Sequence, residues 1–391
     1  MDIDAVKSRI IADVDNHRDE LCDLTRKIHD NPELGFHEFK AVEWLTGLLE
    51  SNGFGIERGI HGLDTAFRAS YGQDGPVIAL IAEYDALPEL GHACGHNIIA
   101  TSSTGAAIAA RLAVEQYGGK VVVIGTPAEE LYGGKVTLAQ KGAFSNLDAA
   151  MMVHPGGHDS VVTEALACQG LYIEFFGKAS HAAGRPEAGI NALEAMLQSF
   201  NAINSLRQHI RDKARIHGII TDGGQAANVV PAHSAGSFLV RAADEAYLAE
   251  LKQKVLNCFM GAALSTGARL EYRWDELCYA PLLNNLTLGK LFVRNMRKIG
   301  RRTRMVDPGK SFGSTDFGNV SQLVPGIHAS VSITSRRGVV THSPQFAEAA
   351  VSEKGMQAMI DAAKTLAMTA ADLLAEPDLL AKVKQEFYRH K

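Results

Sequence analysis

Three short apolar runs constrain this chain more than any other feature of it. Residues 76–82, 120–124 and 149–153 carry no polar side chain at alternate positions. An alternating strand shows one face to water, whereas a continuous apolar strand is covered on both faces, as in the parallel sheets of α/β folds. Segments of helical spacing separate the runs, a small-residue stretch over 98–117 and another around 136–141. The expected fold is α/β, with a mostly parallel mixed sheet between helices. Such sheets gather their ligands at the carboxyl ends of the strands. Glu83 and Asp85 follow the first run, Glu129 and Glu130 the second, and His154 the third.

The pattern changes in the middle of the chain. Residues 171–176 alternate as a strand, 190–206 read as a helix, 216–221 and 235–241 as strands, 245–264 as a helix and 269–274 as a strand. That order predicts a ferredoxin-like α+β module. The first 50 residues read as helices, from the spacing of Val6, Ile10, Ile11 and Val14 and over 39–49, and one long helix is predicted after the module, over 346–374. The domains are therefore read as a discontinuous one, 1–166 with 282–391, interrupted by an insertion at 167–281.

Composition narrows the function. The 391 residues hold 44 acidic and 39 basic side chains, a net charge of -5, which argues against a broad basic face for nucleic acid. Five scattered cysteines without a C-x-x-C pair give neither a disulfide framework nor a zinc ribbon and fit a reducing compartment. No apolar run approaches the roughly 18 residues of a membrane span, and the first residues lack the apolar core of a secretion signal. The chain reads as soluble and cytoplasmic, with no nucleic-acid or membrane partner. Gly309-Lys310-Ser311 lacks the upstream glycine that a phosphate loop requires.

Chemistry concentrates in Gly91-His92-Ala93-Cys94-Gly95-His96-Asn97, where a glycine lets a thiolate and an imidazole turn toward one centre. Alone, this pair fits equally a buried cysteine beside a surface histidine. The run Thr126-Pro127-Ala128-Glu129-Glu130 adds two adjacent carboxylates after a buried strand, a costly arrangement unless a cation is near.

These segments, AEYDALPELGHACGHN from Ala82 and TPAEE from Thr126, occur with MMVHPG, GKASHAAGRPEAGINALEAM, AANVVPAH and THSPQF in that order. Together they resemble the M20 family of metallopeptidases and amidohydrolases, nearest to its subfamily D, the amidohydrolase branch that includes the aminobenzoyl-glutamate hydrolases. The resemblance implies an inserted dimerisation or lid domain, a homodimer or homotetramer formed through it, and two divalent metal ions per protomer, zinc or manganese, with cobalt possible. It implies Cys94 as the bridging ligand, with His96, Glu130, His154 and His342, and Glu129 as general base. Asp85 would orient a ligand histidine, and His181 would stabilise the oxyanion. Asn228 and Arg241 match positions that contact substrate. The implied activity is hydrolysis of the amide bond of N-acyl or N-aroyl amino acids or small dipeptides. The alternative is a non-catalytic binder of metal or amino-acid conjugates on the same fold, and a thiol enzyme using Cys94 as nucleophile is a third reading.

The chain departs from the pattern in places. Glu83 stands where relatives have histidine or aspartate, Asn97 where many have aspartate, and Leu131-Tyr132-Gly133-Gly134-Lys135 is less glycine-rich than usual. The segment Gly313-Ser314-Thr315-Asp316-Phe317-Gly318-Asn319 is expected near the pocket.

Overall fold

A computed structural model describes residues 2–307, 313–336 and 338–390, so the Gly309-Lys310-Ser311 stretch lies outside the described residues. The chain divides into two compact units, one of residues 1–163, 282–311 and 319–391, the other of 164–281 and 312–318.

The first unit is built on an eight-stranded sheet. Its strands are β1 (Gly55–Arg58), β2 (Phe67–Gly72), β3 (Val77–Glu83), β4 (Lys120–Thr126), β5 (Ala149–Gly156), β6 (Ser160–Val162), β11 (Arg304–Val306) and β12 (Gly326–Ser332), in the order β1-β2-β4-β3-β5-β12-β6-β11. The apolar runs form β3, β4 and β5, which pair in parallel, and β12 continues the parallel core beside β5. Every residue of β3 after Val77 is buried, as the absence of alternation predicts. Two helices cover this core, His96–Tyr117 and Glu353–Ala375, both rich in alanine and buried over most of their length. Small side chains let these helices approach closely: a Cβ on Gly105 would stand 3.5 Å from Ala363 Cβ.

The second unit holds a four-stranded antiparallel sheet in the order β10-β7-β9-β8, with β7 (Ala167–Phe176), β8 (Arg215–Asp222), β9 (His233–Ala242) and β10 (Arg269–Tyr279). Helices Ala192–Leu206 and Glu245–Thr266 complete the ferredoxin-like order. Along β7, Leu171, Ile173 and Phe175 are buried against Phe238, Met196 and Phe259, while Tyr172 and Glu174 face out. This is the half-buried pattern read from the sequence.

The structure differs from the expectation in local ways. The helix predicted over 346–374 is two, Pro344–Ala350 and Glu353–Ala375, because the Ser352 hydroxyl caps the second by accepting the Gly355 N–H. The first 50 residues are helical as read, with a further helix at Arg18–His29 between the two segments delimited from the sequence, while the antiparallel pair β1 and β2 was not predicted. Gly313 to Gly318 goes with the second unit: the Leu166 N–H donates to Gly313 O at 2.8 Å, and a Cβ on Gly318 would meet Ala280 O. Among the described residues no helix is long and apolar enough to cross a membrane.

A buried ion pair joins distant parts of the first unit. Lys7, on helix Ile3–Asn16, lies 2.6 Å from Asp372 on Glu353–Ala375, and Asp372 also accepts from Arg294 and Asn295 on helix Leu286–Lys298. Burial pulls the Lys7 pKa down, and Asp372 opposes that pull. Removing one partner of such a pair leaves a charge with no compensation. Asp372→Ala is expected to lower stability by about 3–5 kcal/mol in urea unfolding. A loss under about 1 kcal/mol, the scale of an exposed pair, would show that the contact is not a buried one.

Candidate metal centre

The ends of the parallel strands deliver the site. Glu83 closes β3, the turn after β4 carries Glu129 and Glu130, and His154 lies on β5. Cys94 and His96 come from the loop after β3, with His96 opening its helix. Gly95 between them is left-handed, φ 78°, and a Cβ there would stand 2.5 Å from Pro155 Cγ, so glycine is required for the loop to close on β5. His342 enters from far along the chain at φ 63°, fixed by its own N–H donating to Ala93 O at 2.8 Å.

These side chains converge. Donor atoms of Cys94, His96 and His154 lie within 4.8 Å of one another, as do those of Cys94, Glu130 and His342, and those of His96, Glu129 and Glu130. Cys94 thus belongs to two donor groups. Its sulfur is 3.4 Å from His154 Nε2, and Glu130 Oε2 is 3.3 Å from His342 Nε2. His154 Nδ1 donates to Pro155 O at 2.7 Å, which leaves Nε2 as the free lone pair aimed at Cys94. His96 Nε2 and Glu130 Oε1 face each other at 3.7 Å, both buried without a hydrogen-bond partner. A sulfur, three imidazoles and a carboxylate arranged in two groups with orphaned lone pairs fit divalent cations of the zinc type.

The electrostatics agree. Burial pushes the Cys94 thiol up, so the sulfur keeps its proton until a cation arrives. Burial opposes ionisation of Glu130, yet His342 and His96 hold its pKa at about 2. At His96 burial favours the neutral ring, but Asp85 and Cys94 raise it well above the usual histidine range. His154 is lowered by burial and offers a neutral ring.

Asp85 is almost fully buried and serves two groups, accepting from His96 Nδ1 at 2.9 Å through Oδ1 and from the Glu130 N–H at 3.0 Å through Oδ2. Glu83 faces His96 Nε2 at 3.4 Å through one oxygen and pairs with Lys135 at 2.6 Å through the other, all three side chains buried. Burial disfavours the Glu83 carboxylate, but Lys135 and His96 bring its pKa to about 2. His92, from the same loop as Cys94, stands beside the His29 ring, centroids 6.2 Å apart, and burial lowers its pKa to about 3. The sequence reading missed Lys135 as the partner of Glu83. It also missed Glu38, whose buried carboxyl accepts the Ala128 N–H and is raised by burial to about 7. With His37 before it and Lys40 and Glu43 after it, Glu38 carries no signal of burial in the sequence.

His181, Asn228 and Arg241 belong to the second unit. His181 is exposed, and its Nδ1 accepts from the N–H groups of Ala183 and Gly184, so Nε2 carries the ring proton. Asn228 sits alongside, its carbonyl accepting the Ala182 N–H at 3.0 Å. Arg241, on β9, donates to the Ser314 hydroxyl at 3.0 Å.

The pattern of peptidase family M20/M25/M40 matches residues 79–365. This chain belongs to that family. Among M20 relatives, the mouse (Mus musculus) Xaa-Arg dipeptidase is 38% identical over 403 residues, covering 99% of this chain and 93% of the mouse protein. A p-aminobenzoyl-glutamate hydrolase of Escherichia coli is 36% identical over 308 residues, 73% of this chain and 64% of the relative. In fold, a dinuclear metal binding peptidase of the M20 family from Bacillus subtilis superposes with a TM-score of 0.73 at 22% identity, covering 92% of this chain and 99% of the other.

Within this M20 site, Asp85→Asn removes a charge that two donors share, and its amide presents one oxygen where two are used. Zinc affinity, measured by competition with a chromogenic chelator, is expected to fall about 10–100-fold. A change below about threefold would mean that Asp85 does not hold the ligands in place.

Proposed function

We propose that this M20 chain is a dinuclear-metal hydrolase that cleaves the amide bond of small dipeptides and of N-acyl or N-aroyl amino acids. The observation that carries the reading is the pair of donor groups sharing Cys94, with Glu129 beside His96 and Glu130. Names of the relatives, a dipeptidase and an aminobenzoyl-glutamate hydrolase, support the substrate class.

Cys94, His96, Glu130, His154 and His342 would hold the two ions, zinc or manganese, with Cys94 between them. Once bound, such ions polarise the scissile carbonyl and acidify a water. Glu129 receives the proton of the attacking water and delivers it to the leaving amine. Its neighbour Glu130 is committed by Asp85 and His342 to the ligand role, so the two adjacent carboxylates divide the work. Asp85 keeps the His96 ring oriented. From the second unit, His181 offers its Nε2–H to the substrate oxygen as charge develops there, and Asn228 and Arg241 bind the rest of the substrate. We assign the second unit to dimer or tetramer formation as well, a reading supported by the exposed Ile219 and Ile220 on its edge strand β8. A cytoplasmic location fits the free thiol that the centre requires.

Glu129→Gln is expected to keep its metal while kcat on a panel of arginine-terminated dipeptides, aminobenzoyl-glutamate and hippurate falls by about 10²–10⁴. Near-normal turnover would remove Glu129 as the base, and absence of turnover in the unaltered, metal-loaded protein across the panel would favour a binder.

Metal loading must displace the proton of the Cys94 thiol, which burial holds above its ordinary value. That proton is present at neutral pH, so acid competes with the cation. The zinc Kd is expected to rise at least about tenfold for each unit of acidification below neutrality, with proton release on binding. Calorimetry in two buffers of different ionisation enthalpy reads the release, and a pH-independent Kd would contradict it.

A further inference from the structure

The turn that aims Glu129 is held from a distant part of the chain. Glu38, 90 residues before Ala128, is fully buried, and its Oε1 accepts the Ala128 N–H at 2.8 Å. Ala128 itself is left-handed, φ 58° and ψ 42°, a conformation that a residue with a Cβ keeps only when its surroundings impose it. That residue reverses the chain between β4 and the helical turn Glu129–Tyr132.

Other contacts dock the same segment on the turn. Phe36 stacks on Tyr132 with ring centroids 5.4 Å apart, and a Cβ on Gly35 would stand 2.8 Å from Ala128 Cβ. Asp85 accepts the Glu130 N–H at 3.0 Å. Two buried carboxyls therefore grip the first and third amides of Ala128-Glu129-Glu130 and leave the Glu129 side chain between them.

We propose that Glu38 is a positioning residue for Glu129, fixing through the Ala128 N–H the left-handed turn from which that side chain is aimed. This rests on the reading of Glu129 as the general base. A carboxyl that served only to fill the core would be a poor choice there, since an apolar side chain of the same shape fills it without the cost of burying a polar group. What a carboxyl supplies and leucine does not is an acceptor at the Ala128 amide.

The test uses metal-loaded protein and alanyl-arginine or aminobenzoyl-glutamate, whichever turns over faster. Glu38→Gln retains the acceptor and is expected to keep kcat within about threefold, whereas Glu38→Leu is expected to lose about 30-fold in kcat with KM within about threefold. Bound metal, by elemental analysis, should be the same in both. If Glu38→Leu does not fold, Glu38→Asp, which draws the acceptor back by one methylene, carries the same expectation. In a Glu129→Gln background the Glu38 substitution should cost nothing further, because it acts through the side chain already removed. Multiplying losses, an equal loss in Glu38→Gln, or a kcat loss that tracks lost metal would each overturn the proposal. Failure of the base assignment is read separately, from Glu129→Gln alone. Hydrogen exchange at the Ala128 amide reads the Glu38 contact without reference to turnover: faster exchange in Glu38→Leu is expected, and unchanged protection overturns the contact's role.

Discussion

One carboxylate, that of Asp85, makes the working end of the sheet a single piece. Through one oxygen it orients the ring of His96, the first residue of the central helix, and through the other it holds the amide of Glu130 after the neighbouring strand. Two residues of the centre from different segments thereby share one anchor. Around Asp85 the structure concentrates further buried acid groups, Glu83 and Glu130, with Lys135 set against Glu83. Acids so close together in a dry interior repel unless positive charge lies among them. The donor geometry is therefore also a statement about stability, since the fold gains from the cations that its chemistry uses.

The central sheet was readable because burial on both faces leaves a direct trace, the unalternating runs that became β3, β4 and β5. The second unit was readable for the opposite reason, the strict alternation along β7. What escaped was decided by tertiary packing. Strand β1 is largely exposed and carries little pattern, and the break before Glu353 depends on one serine cap. The attachment of Gly313 to Gly318 to the second unit rests on backbone contacts that no side-chain pattern records.

At the site Cys94 with His96 and Glu129 with Glu130 drew notice from compact motifs, whereas the contacts run between distant segments, Cys94 to His154 and Glu130 to His342. His154 and His342 drew meaning from the family resemblance, and their convergence with Cys94 is a matter of distance in space rather than in sequence. Glu38 and Lys135 are single charged residues in ordinary helical surroundings. Their roles exist only because the fold buries each against a partner, Ala128 for one and Glu83 for the other. The departure at Leu131 and Tyr132 reads differently once placed: both side chains are about half exposed, directly after the two glutamates. Membership in the M20 family fixes the class of chemistry, and positions such as these are where members of one family come to differ in what they accept.

The left-handed backbone at His342 ties the centre to the order in which the chain is made. Cys94, His96, Glu130 and His154 all precede the second unit in sequence, and His342 follows it. A ribosome therefore releases the whole second unit before the last donor emerges. At that point the chain already carries every residue of one donor group, Cys94 with His96 and His154, while the group of Cys94 and Glu130 still lacks its histidine. That second group cannot be complete until the whole second unit has been made, and the amide of His342, joined to Ala93 O, holds its last donor in place.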